Sequence, residues 1–133
     1  MDNNMIKATN EYKRQSIITS SKEELTLMLY NGCIKFINDA VNAVDNKDYQ
    51  SANYNIQRAG DIVTELICTL DMSYEISGNM KLLYEYINQK LLEGNIEKNT
   101  AHLKEALDLI KEFKVAWFHA MKSVKTGDNQ NVV

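Results

Sequence analysis

Residues 20–44, SSKEELTLMLYNGCIKFINDAVNAV, carry two apolar stripes where a simple surface helix needs one. Leu25, Met28, Leu29, Cys33, Phe36, Ile37, Ala40 and Val44 recur at three- and four-residue steps, the spacing that lines one face of an α-helix. That stripe is expected to be core. At about 100° per residue, Leu27, Tyr30, Ile34 and Val41 form a second stripe roughly 120° from the first. Either another element of the same fold or a partner covers it, and the function turns on which.

Outward from this stretch the pattern stays helical. The chain has no proline and five glycines, so few positions forbid helix. Ser21 with Glu24 three residues on reads as a capping box, and the first helix fades at the polar residues 45–48. A second helix is expected from Tyr49 to Leu70, with Ala52, Ile56, Ala59, Val63, Leu66, Ile67 and Leu70 on one face. A third, from Ile76 to Leu92, turns Ile76, Met80, Leu83, Tyr84, Ile87 and Leu91 inward, and Gly94 with Asn95 reads as its stop. The fourth, from Asn99 to Lys125, places Leu103, Ala106, Leu107, Ile110, Phe113, Trp117, Met121 and Val124 on one stripe. Lys122 and Lys125 near its end suit the helix dipole, and Gly127 follows as a stop.

Amphipathic helices joined by such short connections must reverse direction at each turn, which predicts an all-α fold, an antiparallel up-down-up-down four-helix bundle. A chain of 133 residues suits one domain that buries about 65 to 70% of its unfolded surface. Its expected parts are a leader over residues 1–20, a bundle over 21–125 and a frayed tail over 126–133. In the leader, Met5, Ile6, Tyr12, Ile17 and Ile18 are too apolar for a free tail and are expected to cap the bundle.

Composition excludes several functions. Fifteen basic and 18 acidic residues, net charge -3, form no basic block of the kind that nucleic acid attracts. No apolar run approaches the roughly 20 residues that cross a bilayer, so no membrane insertion is expected. Polar Asp2, Asn3 and Asn4 stand where a signal peptide needs a basic start and an apolar middle, which points to the cytosol. Cys33 and Cys68 both fall on apolar faces and read as buried free thiols, in preference to a disulfide or a metal pair.

The chemistry of catalysis is missing from the pattern. Di-metal bundles use Glu-x-x-His pairs, whereas His102 follows Asn99 and His119 follows Ala116 at that spacing. Both histidines read as surface or rim residues. Gly32, Gly60, Gly78 and Gly94 stand alone, so no glycine-rich loop cradles a phosphate. No metal, no cofactor and no enzymatic activity are expected. An enzyme or metal carrier built in a bundle is the weaker reading, since inward acids and histidines are lacking.

Apolar surface outside the core stripes is what remains: Leu27, Tyr30, Ile34 and Val41, with Tyr54 on the second helix and Leu82 and Tyr86 on the third. Contiguous apolar patches mark partner surfaces. A bundle that homodimerises through the second stripe, as an interaction scaffold, is one reading of them.

The residues also form a phrase. The run Leu25-Thr26-Leu27-Met28-Leu29-Tyr30-Asn31-Gly32 precedes Ile34, Phe36 and Ala40. Arg58-Ala59 and Ile62-Val63-x-Glu65-Leu66-x-x-x-Leu70-Asp71 follow, then Asn79 ahead of Leu82-Leu83-Tyr84-x-Tyr86, then Leu91-Leu92 and Trp117. In this order the sequence resembles the flagellin export chaperone family, FliS, and Tyr12 with Ile17 to Ser20 is similar to that family's tyrosine-containing leader. Three positions depart from the family pattern: Lys22 replaces a proline common before the first helix, Asn31 stands where aspartate is frequent, and the connection over 73–78 lacks its usual glycine richness.

The resemblance implies a cytosolic chaperone that binds the disordered C-terminal segment of flagellin, prevents premature polymerisation and delivers it to a component of the flagellar type III export gate. Other flagellar regulators are potential partners. It also implies that the leader around Tyr12 sits over the client site and shifts on binding. With the apolar surface above, the expected flagellin contacts are Tyr12, Leu27, Tyr30, Ile34, Val41, Tyr54, Leu82 and Tyr86.

Overall fold

The computed structural model describes residue 7 and residues 21–125, with side chains through residue 122. Tyr12, the remainder of the leader and the tail lie outside the described residues. Four helices follow in order: α1 (Lys22–Asp45), α2 (Tyr49–Cys68), α3 (Glu75–Glu97) and α4 (Thr100–Lys125). Among the described residues there is no strand.

Side chains set the helix starts. Ser21 Oγ accepts from Glu24 N at 3.2 Å, the first half of the expected capping box, and Asp48 Oδ1 caps α2 by accepting from Ser51 N at 3.2 Å. Asn99 Oδ1 does the same for α4, accepting from Ala101 N at 2.8 Å. Where α2 ends, the Thr69 hydroxyl donates to the Leu66 carbonyl at 2.8 Å, so the helix stops at Cys68, short of Leu70.

The helices form a ring in which α1 touches α2 and α4, and α3 touches the same two. Between α1 and α2, Cys33 Sγ lies 3.8 Å from the Ala59 carbonyl it donates to, and the Arg58 guanidinium sits over the Phe36 ring. Between α2 and α3, Asn95 donates to Asn53 and Asn88 to Thr64. Between α3 and α4, Glu105 meets Lys90, and His102 meets Glu93 and Glu97. In these pairs residue numbers fall along one helix as they rise along its neighbour.

The ring explains the two stripes of α1. A helix wedged between two neighbours buries a face wider than the roughly 100° a single stripe covers. Tyr30 is 1% exposed and Val41 is also buried, so both belong to the core. Leu27 and Ile34 are half-buried. Met28, expected in the core, is exposed instead, as are Ile76 and Leu83 of α3. Cys68, read from sequence as buried, is exposed because it lies about 140 to 160° round α2 from Val63 and Leu66, which face the core.

Gly94, expected as the stop of the third helix, does not end it. The helix runs through it and ends at Glu97, with Lys98 in the left-handed conformation at φ 50 and ψ 44. Gly94 is needed for closeness: a Cβ there would lie 2.6 Å from Leu103 Cδ2, so α3 and α4 approach only because the side chain is absent. Its carbonyl accepts from Asn99 N at 3.1 Å, which closes the helix end.

Candidate functional site

Helices α1 and α3 begin, and α2 and α4 end, at the same end of the bundle, and they leave a cleft of about 470 Å³ between them. Lys22, Glu23 and Thr26 form one wall. Leu66, Thr69 and Leu70 form the second, Tyr74, Ile76 and Met80 the third, and Trp117 of α4 closes the fourth. Asp71 and Ser77 also line it. Its polar rim is fixed locally: Asp71 Oδ1 accepts from the Ser73 backbone N at 3.0 Å and from Ser73 Oγ at 2.6 Å, and these two bonds hold the carboxyl below its usual range. Ser77 Oγ donates to the Asp71 carbonyl at 2.6 Å, which ties the connection to the first turn of α3.

Two tyrosines reach the cleft from the core. The hydroxyls of Tyr30 and Tyr84 share a hydrogen bond at 2.5 Å, and burial pushes both phenols above their usual range. Phe113 packs on both rings, at 6.3 Å from Tyr30 and 4.7 Å from Tyr84 between centroids. Trp117 meets Tyr30 edge-on and donates Nε1–H to the Glu23 carbonyl at 2.9 Å, joining the end of α4 to the start of α1. The result is a rigid aromatic floor with every hydroxyl partnered.

Beyond the Tyr74 and Ile76 rim, α3 continues an apolar surface. Leu82 is 66% exposed, and Leu83, Tyr86, Leu92 and Ile96 are exposed along the same helix. Tyr86 hydrogen-bonds Glu105 of α4, which raises its phenol pKa, and the Lys90 ammonium stands 5.4 Å from its ring centroid. Tyr54 is exposed on α2, separate from this strip. The eight contacts expected from sequence thus divide. Leu82 and Tyr86 are brought together on α3, Tyr54 stands apart, Leu27 and Ile34 line the α1–α4 seam, Tyr30 and Val41 are core, and Tyr12 falls outside the described residues.

Sequence reading missed the cleft. Leu66 and Tyr84 are core residues, as their stripes predict, and they also form the floor of the cleft, while Leu70, Met80 and Trp117 on the same stripes are only half-buried where the cleft opens. The available signal was Tyr74 and Ile76, two large apolar residues beside a connection too short to bury them.

The chemistry available is that of binding. Burial pushes the Cys33 thiol up to about 12. Among the described residues no three His, Cys, Asp or Glu side chains are grouped to hold a metal ion, and no helix is long and apolar enough to cross a membrane.

The sequence profile described as "Flagellar protein FliS" matches residues 5–124. The chain belongs to the FliS family. Relatives include the flagellar secretion chaperone FliS of Bacillus subtilis, 39% identical over 112 residues that cover 84% of each chain. The flagellar secretion chaperone FliS of Campylobacter jejuni is 32% identical over 88% of this chain and 91% of its own length. FliSB of Pseudomonas aeruginosa, also a flagellar secretion chaperone, is 28% identical over 84% and 94%. The family is thus one of flagellar secretion chaperones and not of enzymes.

Proposed function

We propose that this FliS-family chain acts in the cytosol, holding the disordered C-terminal segment of flagellin until it reaches the flagellar type III export apparatus, and so prevents premature polymerisation. The observation that carries the reading is an aromatic-floored cleft at one end of the bundle together with the exposed Leu82, Leu83 and Tyr86 on α3, the helix whose start forms one wall of that cleft. A segment that seats one bulky side chain between Trp117, Met80 and Tyr74 can run on past Ile76 to Leu82 and Tyr86. Removing apolar surface from water is worth roughly 25 cal/mol per Å². Ordering a disordered client costs several kcal/mol, so cleft and strip together are needed. Leu27 and Ile34 contribute at the seam only by the edges they leave exposed, and Tyr54 would be touched only by a client that wraps further round. Lys22, at the start of α1, lines the cleft, and the segment that precedes it in sequence, with Tyr12, is proposed to cover the site and to move when flagellin binds.

Homodimerisation through the second stripe of α1 loses its basis, since Tyr30 and Val41 are covered within the bundle. The deciding experiment is calorimetric titration, with light scattering, against full-length flagellin and against flagellin lacking its C-terminal segment. A 1:1 complex with the first and none with the second is expected. Equal binding to both would refute the proposal.

A further inference from the structure

On α4, charge signs are segregated rather than mixed. Lys111, Lys114 and Lys122, with Val115 and Phe118 between them, fall within a stripe about 100° wide, at three- and four-residue steps. Val115 is 55% exposed and Phe118 48%. None of the three lysines takes part in an ion pair among the described residues, although ion pairs form elsewhere on α3 and α4. The stripe lies about 120° round from Glu105, which pairs with Lys90 of α3, so it occupies the flank of α4 on the side of α1. Across that seam α1 carries a stripe of Glu24, Asn31, Asn38 and Asp45 at seven-residue spacing, uncharged over the middle stretch that lies beside Leu27 and Ile34.

We infer that the α4 flank of this seam, from Lys111 to Lys122, docks an acidic amphipathic segment of a second protein, at a surface separate from the cleft, the α3 strip and the exposed edges of Leu27 and Ile34. Like charges three residues apart repel, and a half-exposed phenylalanine between lysines gains nothing from water. A segment with apolar residues on one face and carboxylates flanking them satisfies both at once, resting on Val115 and Phe118 while its acids reach the ammonium groups. The width of the surface selects a peptide over a membrane or nucleic acid. Asp108 and Glu112 line the outer ridge of α4, about 60 to 100° round from Lys111, and a broad anionic surface would press against them. A narrow segment lies inside the ridge.

The test uses the full chain, isotopically labelled, and two synthetic amphipathic peptides of about 18 residues with the same leucine face and either glutamate or lysine on the other. The glutamate peptide is expected to shift amide resonances around Lys111 to Lys122 and Asn31 to Asn38, to weaken with added salt, and to bind at least about tenfold more tightly than the lysine peptide. Lys111→Glu/Lys114→Glu should reverse that preference, and Phe118→Ser should weaken both peptides. A milder Lys111→Gln/Lys122→Gln variant guards against misfolding of the charge reversal, and it should lose at least about threefold for the glutamate peptide alone. Equal binding of the two peptides, resonance shifts confined to α3, unchanged affinity in the glutamine variant, or stronger binding to phosphatidylglycerol vesicles than to the glutamate peptide would each overturn the inference.

Discussion

Tyr30 and Tyr84, 54 positions apart in sequence, meet hydroxyl to hydroxyl at 2.5 Å and so lock α1 to α3 across the ring of helices. Each is the other's partner, and the pair sits where core becomes cleft. Removing one hydroxyl leaves the other buried without its bond, which costs about 1 to 3 kcal/mol. Tyr30→Phe and Tyr84→Phe should each lower stability by that amount. The double variant should cost clearly less than the sum, and urea melts on a double-mutant cycle will show the coupling.

The same pair predicts an alkaline limit. Both phenols titrate above their ordinary value of 10.0 in the folded protein, so the native state keeps protons that the unfolded chain releases. Stability is therefore full below about pH 10 and falls as pH rises through the folded values. Cys33, pushed from 9.0 to about 12, adds the same sign of dependence from about pH 9 upward. Melting temperatures should hold steady through neutral pH and fall above about pH 9 to 10, more gently in the double phenylalanine variant.

The two thiols should part company in reactivity. Cys33 is fully buried with a raised pKa, and Cys68 is exposed. A chromogenic disulfide reagent should titrate Cys68 at once in native protein and reach Cys33 only after denaturant is added. Two fast thiols in the native state would place Cys33 outside the core.

Gly94 and Gly78 make a matched contrast within one helix. A methyl group at Gly94 would meet Leu103, whereas nothing lies within 4 Å of one at Gly78. Gly94→Ala should destabilise by about 1 to 3 kcal/mol through overpacking. Gly78→Ala should stabilise by about 0.5 to 1 kcal/mol, because alanine restricts the unfolded chain and favours helix.

These residues also show what the sequence made legible. The helices were readable from their periodicity and the Ser21 cap from Glu24 three residues on, whereas the caps at Asp48 and Asn99, equally local, emerge only in the structure. Gly94 misled because glycine signals both a helix end and a close approach, and only the position of Leu103 distinguishes them. Tyr30 misled because periodicity shows that a face is apolar and is silent on how many neighbours cover it. The cleft was hidden for a related reason: Trp117 and Met80 follow the core stripe, and their distance from the helix ends becomes meaningful only when four ends are brought together.

Client binding and folding should separate along the line between exposed and half-buried apolar residues. Leu82 touches solvent over most of its surface, so Leu82→Glu should leave the melting temperature nearly unchanged while weakening capture of the flagellin C-terminal segment by more than about tenfold. Ile34 packs against the core, and Ile34→Glu should lower stability by several kcal/mol together with binding. Trp117→Ala stands between them: its ring is half-buried, supports Tyr30 and bonds the Glu23 carbonyl, so a loss of about 3 kcal/mol is expected along with damage to the cleft. Calorimetric titrations run beside circular dichroism melts will sort the three. Full-strength capture by folded Leu82→Glu protein would remove the α3 strip from the client surface and leave the cleft alone to hold it.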